Sequence, residues 1–264
     1  MPAAVAVELV HNFSLVHDDV MDGDLTRRHR PTVWNEFGVG SAILVGDALL
    51  TLAFDVLAAS GHPAAQEGMR LLGACVQKLV EGQAKDVAFE KRADVGLPEC
   101  LAMANAKTGA LLGCACALGA LFGGASADQV ERMRAFGEHL GMAFQLADDL
   151  LGIWGDPAVT GKPAHTDLVR RKKSLPVVAA LISGTPAGYE LSRLYEYRPD
   201  RPWSSGQLAR AADLVVLAGG RDWTEATADG ELAQALLELW AAEPGERAAG
   251  ELGALARLAT YRDR

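Results

Sequence analysis

Residues 5–22 have the sequence VAVELVHNFSLVHDDVMD, in which an apolar pattern ends in a cluster of aspartates. From Val5 to Val16 the apolar residues recur at the spacing of one face of an α-helix. Asp18 and Asp22 are four residues apart, which places their carboxylates on one face, about 6 Å apart along the helix axis. These like charges repel each other, and negative charge at a helix C-terminus also opposes the helix dipole. The stretch therefore predicts a helix that ends in a binding site for a cation.

A second acidic stretch has the same organisation. Residues 144–149 have the sequence FQLADD and follow a long apolar helical pattern, so Asp148 and Asp149 stand near its C-terminal part. Carboxylate oxygens with few His or Cys nearby favour a hard cation such as Mg²⁺, which keeps several waters and binds through substrate phosphates. Two helices of this kind indicate a diphosphate that is held between them by metal.

Basic residues cluster just after each group of aspartates. Those after the first group are Arg27, Arg28 and Arg30, and those after the second are Lys162, Arg170, Arg171, Lys172 and Lys173. In a chain whose net charge is −9, this arrangement indicates a site for an anion together with its counter-ions.

The composition limits the classes of function. The 264 residues include 25 Lys and Arg against 34 Asp and Glu, an acidic balance that argues against a nucleic-acid-binding protein. Apolar residues make up 50% of the chain, which is typical of a globular protein with one large core. We find no strongly apolar run of 18 residues and no signal-peptide pattern, and we therefore expect no transmembrane segment and a cytoplasmic location.

Apolar residues recur at helical spacing through almost the whole chain, which is rich in Ala and Leu. No Asn-Gly or Asp-Gly dipeptide separates two alternating strands, so we expect an all-α protein with a single domain over residues 1–264. Ser126 and Gln129 resemble a helix capping box, and the Gly- and Ala-rich residues 111–122 predict a closely packed core helix. We predict helices over residues 2–21, 40–60, 63–91, 97–122, 126–154, 174–184, 205–219, 222–242 and 246–262, with residues 198–203 as a loop.

The four cysteines show no pattern typical of metal binding. Cys75, Cys100, Cys114 and Cys116 lie in apolar surroundings, without a CxxC pair or a His at zinc-ligand spacing. We therefore expect them to be small buried side chains.

Five short motifs lie in register along residues 2 to 184, and together they are far more specific than one acidic pattern. They are His17 to Asp22 with Leu25 to Arg28, Gly82 to Asp86, Lys107 with Thr108, Phe144 to Asp149, and Gly161 to Lys172. In this order and spacing they closely resemble the motifs of the trans-isoprenyl diphosphate synthases, or polyprenyl synthetases. The last third of the chain resembles that family only in being helical.

The resemblance implies a bundle of long helices around a deep apolar cavity, with an allylic diphosphate held at its mouth by three Mg²⁺ ions. It implies that Asp18 and Asp22 ligate two of the ions and Asp148 the third, while Asp19 and Asp149 support these ligands. In such an enzyme the allylic C–O bond ionises, and the carbocation alkylates isopentenyl diphosphate before a proton is lost. The implied activity is that of a trans-prenyltransferase, and the implied assembly is a homodimer.

Other residues match family positions around the two substrates. The residues expected to grip the allylic diphosphate are Arg27, Lys107 and Lys162, with Lys172 closing over it, and Arg28 is expected to contact isopentenyl diphosphate. The supporting polar residues near the reacting carbons are Thr108, Gln145, Gln83 and Asp86. A functional role for Lys107 and Thr108 is favoured because they interrupt a long apolar helix, where a core would leave them without partners. His17 is expected to pack beside the metal ligands without ligating metal.

The length of the product can be argued from the first acidic helix. Ser14 lies one turn before Asp18 on the same face, and Phe13 lies beside it and slightly deeper. In the family, a small residue at the first position lets the growing chain pass and an aromatic residue at the second stops it. This combination resembles enzymes that form the C20 geranylgeranyl product.

The sequence departs from the family in three places. It begins at the helix that carries the first aspartates, so the helices that usually precede it are expected to be missing, with half of the isopentenyl diphosphate site. Their loss should expose an apolar flank that favours dimerisation or aggregation. Gly152 replaces the last aspartate of the second acidic motif, and His29 stands where a glycine usually follows the two arginines.

Two other functions stay open. A terpene cyclase or diphosphate lyase uses the same ionisation without an isopentenyl diphosphate site, although Arg28 and the motif from Gly82 to Asp86 count against it. A non-catalytic partner subunit of a complete synthase is the other alternative. Such subunits often lack aspartates of the first motif, whereas this chain keeps all of them.

Overall fold

The computed structural model describes residues 1–90, 92, 94–156, 165–196 and 202–261. This part of the chain is almost entirely helical, which confirms the all-α class. A short hairpin is formed by β1 (Thr26–Arg27) and β2 (Arg30–Pro31). The helices are α1 (Pro2–Asp22), α2 (Val33–Phe37), α3 (Val39–Ala58), α4 (Ala65–Phe89), α5 (Leu97–Ala104), α6 (Ala110–Phe122), α7 (Ala127–Trp154), α8 (Thr166–Val169), α9 (Leu175–Leu181), α10 (Pro186–Glu196), α11 (Ser205–Leu217), α12 (Gly220–Ala241) and α13 (Glu246–Thr260).

Helix α1 ends directly after its aspartates. Gly23 adopts a φ of 67°, a left-handed conformation that costs glycine little, and its N–H donates a hydrogen bond to the carbonyl of Asp19. The hairpin that follows reverses the chain, with Thr26 opposite Pro31. The acidic end of α1 is therefore followed at once by the arginines of the hairpin.

The centre of the fold is a pair of closely packed helices. A π-helical turn, Asn105–Gly109, joins α5 and α6 into one continuous helix, and α7 runs against it. A Cβ atom on Gly137 would lie 2.3 Å from the carbonyl oxygen of Leu112, and one on Gly141 would lie 2.6 Å from the Cα of Gly109. Only glycine allows this approach, so the Gly-rich stretch forms a core helix as its composition predicts.

Four groups of buried apolar side chains fill the part of the bundle that the structure describes. The group nearest the acidic end of α1 is built from α1, α3, α4 and α6, and it contains Phe13, Leu57, Leu72 and Leu118. Another joins Phe136 of α7 to α12 and α13. The long helices are thus held by apolar contacts on faces that the period of the sequence predicts.

Helix α3 corrects the expectation that no 18-residue run is strongly apolar. The most apolar 18 residues of Val39–Ala58 have a mean hydropathy of 1.8, and only 22% of them are buried. The helix Leu97–Phe122 is also long and apolar enough to cross a membrane, but half of the corresponding stretch is buried. Leu44, in the N-terminal half of α3, is 71% exposed. An exposed apolar face therefore lies along α3.

Several short elements were not predicted. The hairpin and the helices α2 and α8 are too short to show a clear helical period. Helix α10 was also missed, although Leu191, Leu194 and Tyr195 recur there at helical spacing and pack into the core. The predicted helix over residues 174–184 ends at Leu181, and Gly184 with a φ of 67° separates it from α10. Most of the loop predicted over residues 198–203 lies outside the described residues.

All four cysteines are free thiols. Cys75, Cys100 and Cys114 are buried as expected, whereas Cys116 is only half-buried. The Sγ of Cys75 donates a hydrogen bond to the carbonyl of Ala110 at 3.3 Å, so it ties α4 to α6.

Candidate active site

The aspartates at the end of α1 divide between two directions. Asp18 is mostly buried, with 19% of its side chain exposed, and Asp22 is exposed one turn further on. Asp19 points the other way, where its carboxylate accepts a hydrogen bond of 2.8 Å from Nε of Arg27. Burial raises the pKa of Asp19 against the opposing effect of that hydrogen bond. Asp19 thus fixes the hairpin, while the other two carboxylates stay available.

Lys107 connects three elements at this point. Its Nζ lies 2.7 Å from Oδ2 of Asp86 on α4 and 3.6 Å from Oδ2 of Asp18 on α1. Burial raises the pKa of Asp18 to about 6, although the charge of Lys107 opposes this rise. Burial also lowers the pKa of Lys107, but the two carboxylates outweigh it and leave that pKa above its ordinary value. The ammonium group therefore stays charged beside two acidic groups.

The π-helical turn and Gly82 bring Lys107 to this position. A Cβ atom on Gly82 would lie 2.5 Å from the backbone nitrogen of Lys107. Only glycine at residue 82 therefore allows α4 to come this close to the π-helical turn. The next residue, Gln83, is buried, and its Nε2 lies 3.7 Å from Sδ of Met21. Its Oε1 has no hydrogen-bond partner among the described residues. A buried acceptor of this kind fits a group that the chain itself does not supply.

A chain of hydrogen bonds runs from the π-helical turn to α7. Oγ1 of Thr108 donates to Oε1 of Gln145 at 2.6 Å, and Nε2 of Gln145 donates to Oδ1 of Asp149 at 2.8 Å. The second carboxylate oxygen of Asp149 accepts from the backbone nitrogen of Leu175 at 2.8 Å. Nζ of Lys172 lies 4.0 Å from the same carboxylate. Asp149 is therefore engaged inside the protein and orients the amide of Gln145.

The two aspartates of the second motif differ in exposure. Asp148 is exposed, whereas Asp149 is buried. Burial raises the pKa of Asp149, and the nearby charge of Lys172 opposes the rise. The charge of Asp149 in turn holds the pKa of Lys172 above its ordinary value, although burial lowers it. The pair thus presents one carboxylate outward and keeps the other in the interior.

Gly152, the departure from the second motif, lies directly under another carboxylate. A Cβ atom on Gly152 would be 2.4 Å from Oδ2 of Asp167, just after the N-terminus of α8. The backbone oxygen of Asp167 accepts a hydrogen bond of 2.8 Å from the nitrogen of Lys172. Sequence reasoning did not identify Asp167 in this role, because no local pattern links residues fifteen positions apart in different helices.

The basic residues have several kinds of partner. Arg170 forms an ion pair with Asp24, and Arg28 is exposed at the turn of the hairpin. Lys162, together with the start of its motif, lies outside the described residues. Burial lowers the pKa of His11, and the charges of Arg28 and Arg27 lower it further against the opposing charge of Glu8. Its position was missed because a lone His on an apolar helix face carries no distinctive pattern.

The two residues expected to determine product length lie as the helix period predicts. Phe13 is 6% exposed and belongs to the core around α1, α3, α4 and α6. The hydroxyl of Ser14 donates to the carbonyl of His11 at 2.8 Å. Ser14 thus satisfies its own polar group on α1 and presents only a small side chain.

The carboxylates of the site fit a hard cation whose ligands come partly from the protein and partly from a substrate. Among the described residues, no three His, Cys, Asp or Glu side chains converge on one point. Mg²⁺ needs no such cage, because it is commonly bound by one or two carboxylates, with waters and phosphate oxygens completing its shell. Asp18, Asp22 and Asp148 could supply oxygens of that kind, and the raised pKa of Asp18 reflects the cost of a charge that a cation would offset.

Comparisons with known proteins agree with this arrangement. Residues 1–211 match the family model described as polyprenyl synthetase. The chain is 48% identical over 237 residues to a (2E,6E)-farnesyl diphosphate synthase of Mycobacterium tuberculosis, covering 89% of this chain and 66% of that relative. It is 46% identical over 263 residues to a geranylgeranyl diphosphate synthase of the same organism, covering 99% and 73%. The chain thus spans just under two thirds of the farnesyl relative's length.

A solved structure gives the same result at the level of the fold. The crystal structure of a polyprenyl synthetase from Streptomyces coelicolor has a TM-score of 0.93 with this chain at 47% identity, covering 98% of this chain and 78% of that one. The helical bundle and its order of elements are therefore shared with that protein.

Proposed function

This chain belongs to the polyprenyl synthetase family, and we propose that it condenses an allylic diphosphate with isopentenyl diphosphate into a linear trans-prenyl diphosphate. One observation carries the proposal. Lys107 lies between Asp18 and Asp86, where a largely buried ammonium group meets one carboxylate at the end of α1 and another on α4. A diphosphate with its metal ions would satisfy both kinds of charge at this point.

We propose that Asp18 and Asp22 hold two Mg²⁺ ions and that Asp148 holds a third. Such ions, when bound, would neutralise negative charge on the departing diphosphate. Asp19 and Asp149 have a different role, because each carboxylate accepts hydrogen bonds from other groups of the protein. They keep Arg27 and Gln145 in position.

The proposed roles of the other residues follow from their charge and location. Arg27, Lys107, Lys162 and Lys172 would bind the allylic diphosphate as it leaves, since preorganised cations stabilise charge where it develops. Oγ1 of Thr108 and the amide oxygens of Gln145 and Gln83 would face the positive charge on the allylic carbon. Oε1 of Gln83 supports this role because it is buried without a partner in the described structure.

The second substrate would lie on the hairpin side of α1. Arg28 is exposed at the turn, and His11 is close enough to the hairpin for its pKa to be affected by Arg28. We propose that these two residues contact isopentenyl diphosphate. Asp86, on the opposite side of Lys107, would hold that ammonium group in place.

We propose geranylgeranyl diphosphate, with 20 carbons, as the product. The growing chain would pass Ser14, whose hydroxyl is bonded back to α1, and stop at Phe13. The relatives include both farnesyl and geranylgeranyl diphosphate synthases, so the product is decided by measurement of its length.

We also propose that residues 1–264 form one domain, that two copies associate through α3 and that the protein is cytoplasmic. Residues exposed along α3 include Val39, Ile43, Leu44, Val45 and Leu52. A face of this kind is covered at a stable contact between protein chains. Light scattering after size-exclusion chromatography should give the mass of a dimer, and Leu44→Glu should give a monomer. Leu255→Glu, at an exposed position of α13, is the matched control.

The first experiment incubates the purified chain with Mg²⁺ and farnesyl diphosphate, with and without isopentenyl diphosphate, and identifies all products by mass spectrometry. An elongated diphosphate that forms only with isopentenyl diphosphate is the expected result. Hydrocarbon or alcohol from farnesyl diphosphate alone would instead indicate a cyclase or lyase, and no turnover would favour a non-catalytic partner subunit.

Variants connect the activity to the site. Asp18→Ala and Asp148→Ala should abolish Mg²⁺-dependent turnover while circular dichroism shows unchanged helix content. Asp213→Ala, which removes an exposed carboxylate on α11, should leave the rate unchanged. Full activity of the first two variants would refute the assignment of the metal ligands.

A further inference from the structure

We infer that His17 is a positioning residue that sets product length by holding the ring of Phe13 against the growing chain. The inference rests on the proposed function, since it concerns the cavity that would receive the prenyl tail. It extends the expected role of His17, which sequence reasoning limits to packing beside the metal ligands. Three contacts carry it: His17 meets the backbone of α3 at Ile43 and at Gly46, and it meets the ring of Phe13 within α1.

The imidazole of His17 is pressed against the backbone of α3. Nε2 lies 3.1 Å from the carbonyl oxygen of Ile43, and because a carbonyl only accepts, this nitrogen donates. A Cβ atom on Gly46 would be 2.1 Å from Nε2 and 2.3 Å from Cδ2 of the same ring. Gly46 therefore provides the space that the ring occupies. The carboxylate of Asp47, 3.9 Å from Nε2, lies beside the same contact.

The other side of the imidazole supports Phe13. The two ring centroids are 4.9 Å apart and the planes meet at 67°, which is an edge-to-face contact of the kind that aromatic rings favour. Phe13 is one helical turn before His17, so both side chains project from one face of α1. A Phe13 ring that turned toward α3 would meet the imidazole, which cannot retreat because the backbone at Gly46 is behind it.

The three residues thus form a stack that runs from the backbone of α3 through His17 to Phe13. This stack holds the ring of Phe13 in a fixed position at the end of the proposed cavity for the prenyl tail. Loss of the imidazole, or a side chain at residue 46 that displaces it, would free Phe13 to move aside. The cavity would then accept a longer chain even though Phe13 itself is intact.

The test measures cavity depth in two ways. Calorimetry compares the affinities of non-hydrolysable farnesyl, geranylgeranyl and geranylfarnesyl thiolodiphosphates, and mass spectrometry measures product lengths with excess isopentenyl diphosphate. The variants are His17→Ala and Gly46→Ala, with Gly40→Ala as the control. Gly40 is on the same helix, and a Cβ there would meet nothing within 4 Å.

We expect His17→Ala and Gly46→Ala to shift the preference toward the geranylfarnesyl analogue by about fivefold, and to shift the product distribution equally. Gly40→Ala should leave both unchanged. In a Phe13→Ala background, His17→Ala should cause no further shift, because its effect acts through Phe13. A simple structural role would lower stability or rate without changing the preference for length.

The outcomes distinguish this inference from the proposed function. If His17→Ala changes which analogue length is preferred, but the chain elongates no substrate, the inference is supported and the proposed synthase activity is refuted. Elongation with a product length that is the same in His17→Ala would overturn the inference and leave the synthase intact. Equal shifts in the presence and absence of Phe13, or no binding of any analogue, would also overturn it.

Discussion

The carboxylate of Asp167 lies directly over Gly152, so close that a Cβ atom on the glycine would be 2.4 Å from Oδ2. Residue 152 is where the second acidic motif of the family has its last aspartate, and its replacement by glycine leaves a space on α7. The start of α8 fills this space with a carboxylate from another part of the chain. The departure in sequence is thus accompanied by an acidic group at nearly the same place.

Gly152→Asp should therefore destabilise the protein. The new side chain would collide with Asp167 and place two carboxylates together, and overpacking of this kind lowers the melting temperature by roughly 3–10 °C in a protein of this size. Differential scanning calorimetry measures the change. Asp167→Ala should restore much of the loss, and Gly230→Asp, at an exposed helical position with nothing within 4 Å, should cause little change. A neutral Gly152→Asp would show that the contact is not maintained in solution.

Asp18→Asn should stabilise the metal-free protein at alkaline pH. Burial raises the pKa of Asp18 from 3.8 to about 6, so the folded state binds its proton more tightly than the unfolded state. The contribution of Asp18 to the free energy of unfolding is therefore most favourable below about pH 4, and it is lost as the pH rises through 6. At pH 8 the neutral amide should add about 1–3 kcal/mol to the free energy of unfolding.

Urea denaturation in the presence of a chelator, at pH 8 and at pH 4, tests this prediction. The difference between Asp18→Asn and the natural chain should shrink at the lower pH, where both are uncharged at residue 18. Asp213→Asn should show no such dependence, because its side chain is exposed. A less stable Asp18→Asn at pH 8 would contradict the burial of an ionised carboxylate.

Asp148→Asn and Asp149→Asn should have different effects. Asp149 accepts hydrogen bonds from Gln145 and Leu175, so its amide variant should misorient Gln145 and lower kcat by about 10–100-fold. Asp148 is exposed, and its variant should instead weaken the binding of Mn²⁺ in the presence of a diphosphate analogue. Electron paramagnetic resonance measures free Mn²⁺. Equal losses of metal affinity in the two variants would argue against separate roles.

His29→Gly should stabilise the hairpin. Arg28 and His29 adopt φ values of 49° and 62°, a left-handed pair that matches the turn between two short strands. This conformation is unfavourable for residues that have a Cβ atom, so glycine at residue 29 should add about 0.5–1 kcal/mol to the free energy of unfolding. Thermal unfolding detects the change. Arg30→Gly, at the start of β2, lacks that strain and should not stabilise.

Phe13→Ala should lengthen the product and Ser14→Phe should shorten it. The first change removes the buried ring at the end of the proposed cavity, and the second places a ring one residue nearer to Asp18. Product lengths by mass spectrometry decide both. Phe54→Ala, which removes an aromatic ring packed against the same core, is the control for simple loss of stability. An unchanged product from Phe13→Ala would exclude Phe13 from the determination of length.

The long helices agree with the pattern of the sequence to within a few residues. The predicted helix over 126–154 is α7, and its start shows the reciprocal hydrogen bonds of the capping box between Ser126 and Gln129. Such features are local, because a helix period and a cap involve residues that are neighbours in the chain. The apolar run of α3 was missed although its hydropathy can be read from the sequence, and only its exposure required the structure.

The candidate site divides in the same way. Its aspartates, Lys107 and Gln145 can be identified from motifs, but the motifs do not say which carboxylate of each pair is buried. That difference arises where Asp19 meets Arg27 and where Asp149 meets the nitrogen of Leu175. Asp167 belongs to the fifth motif, but its contact with Gly152 follows from no sequence pattern, and His11 belongs to no motif at all.

By itself the sequence identified a helical member of the polyprenyl synthetase family, with two acidic motifs and basic residues after each. Helical period and motif spacing suffice for that, because both are properties of short segments. Only the tertiary structure decided that Lys107 lies between Asp18 and Asp86, that Asp167 covers Gly152 and that His17 holds Phe13. These relationships depend on how closely distant helices approach, and that distance is set by glycines and buried side chains from every part of the bundle.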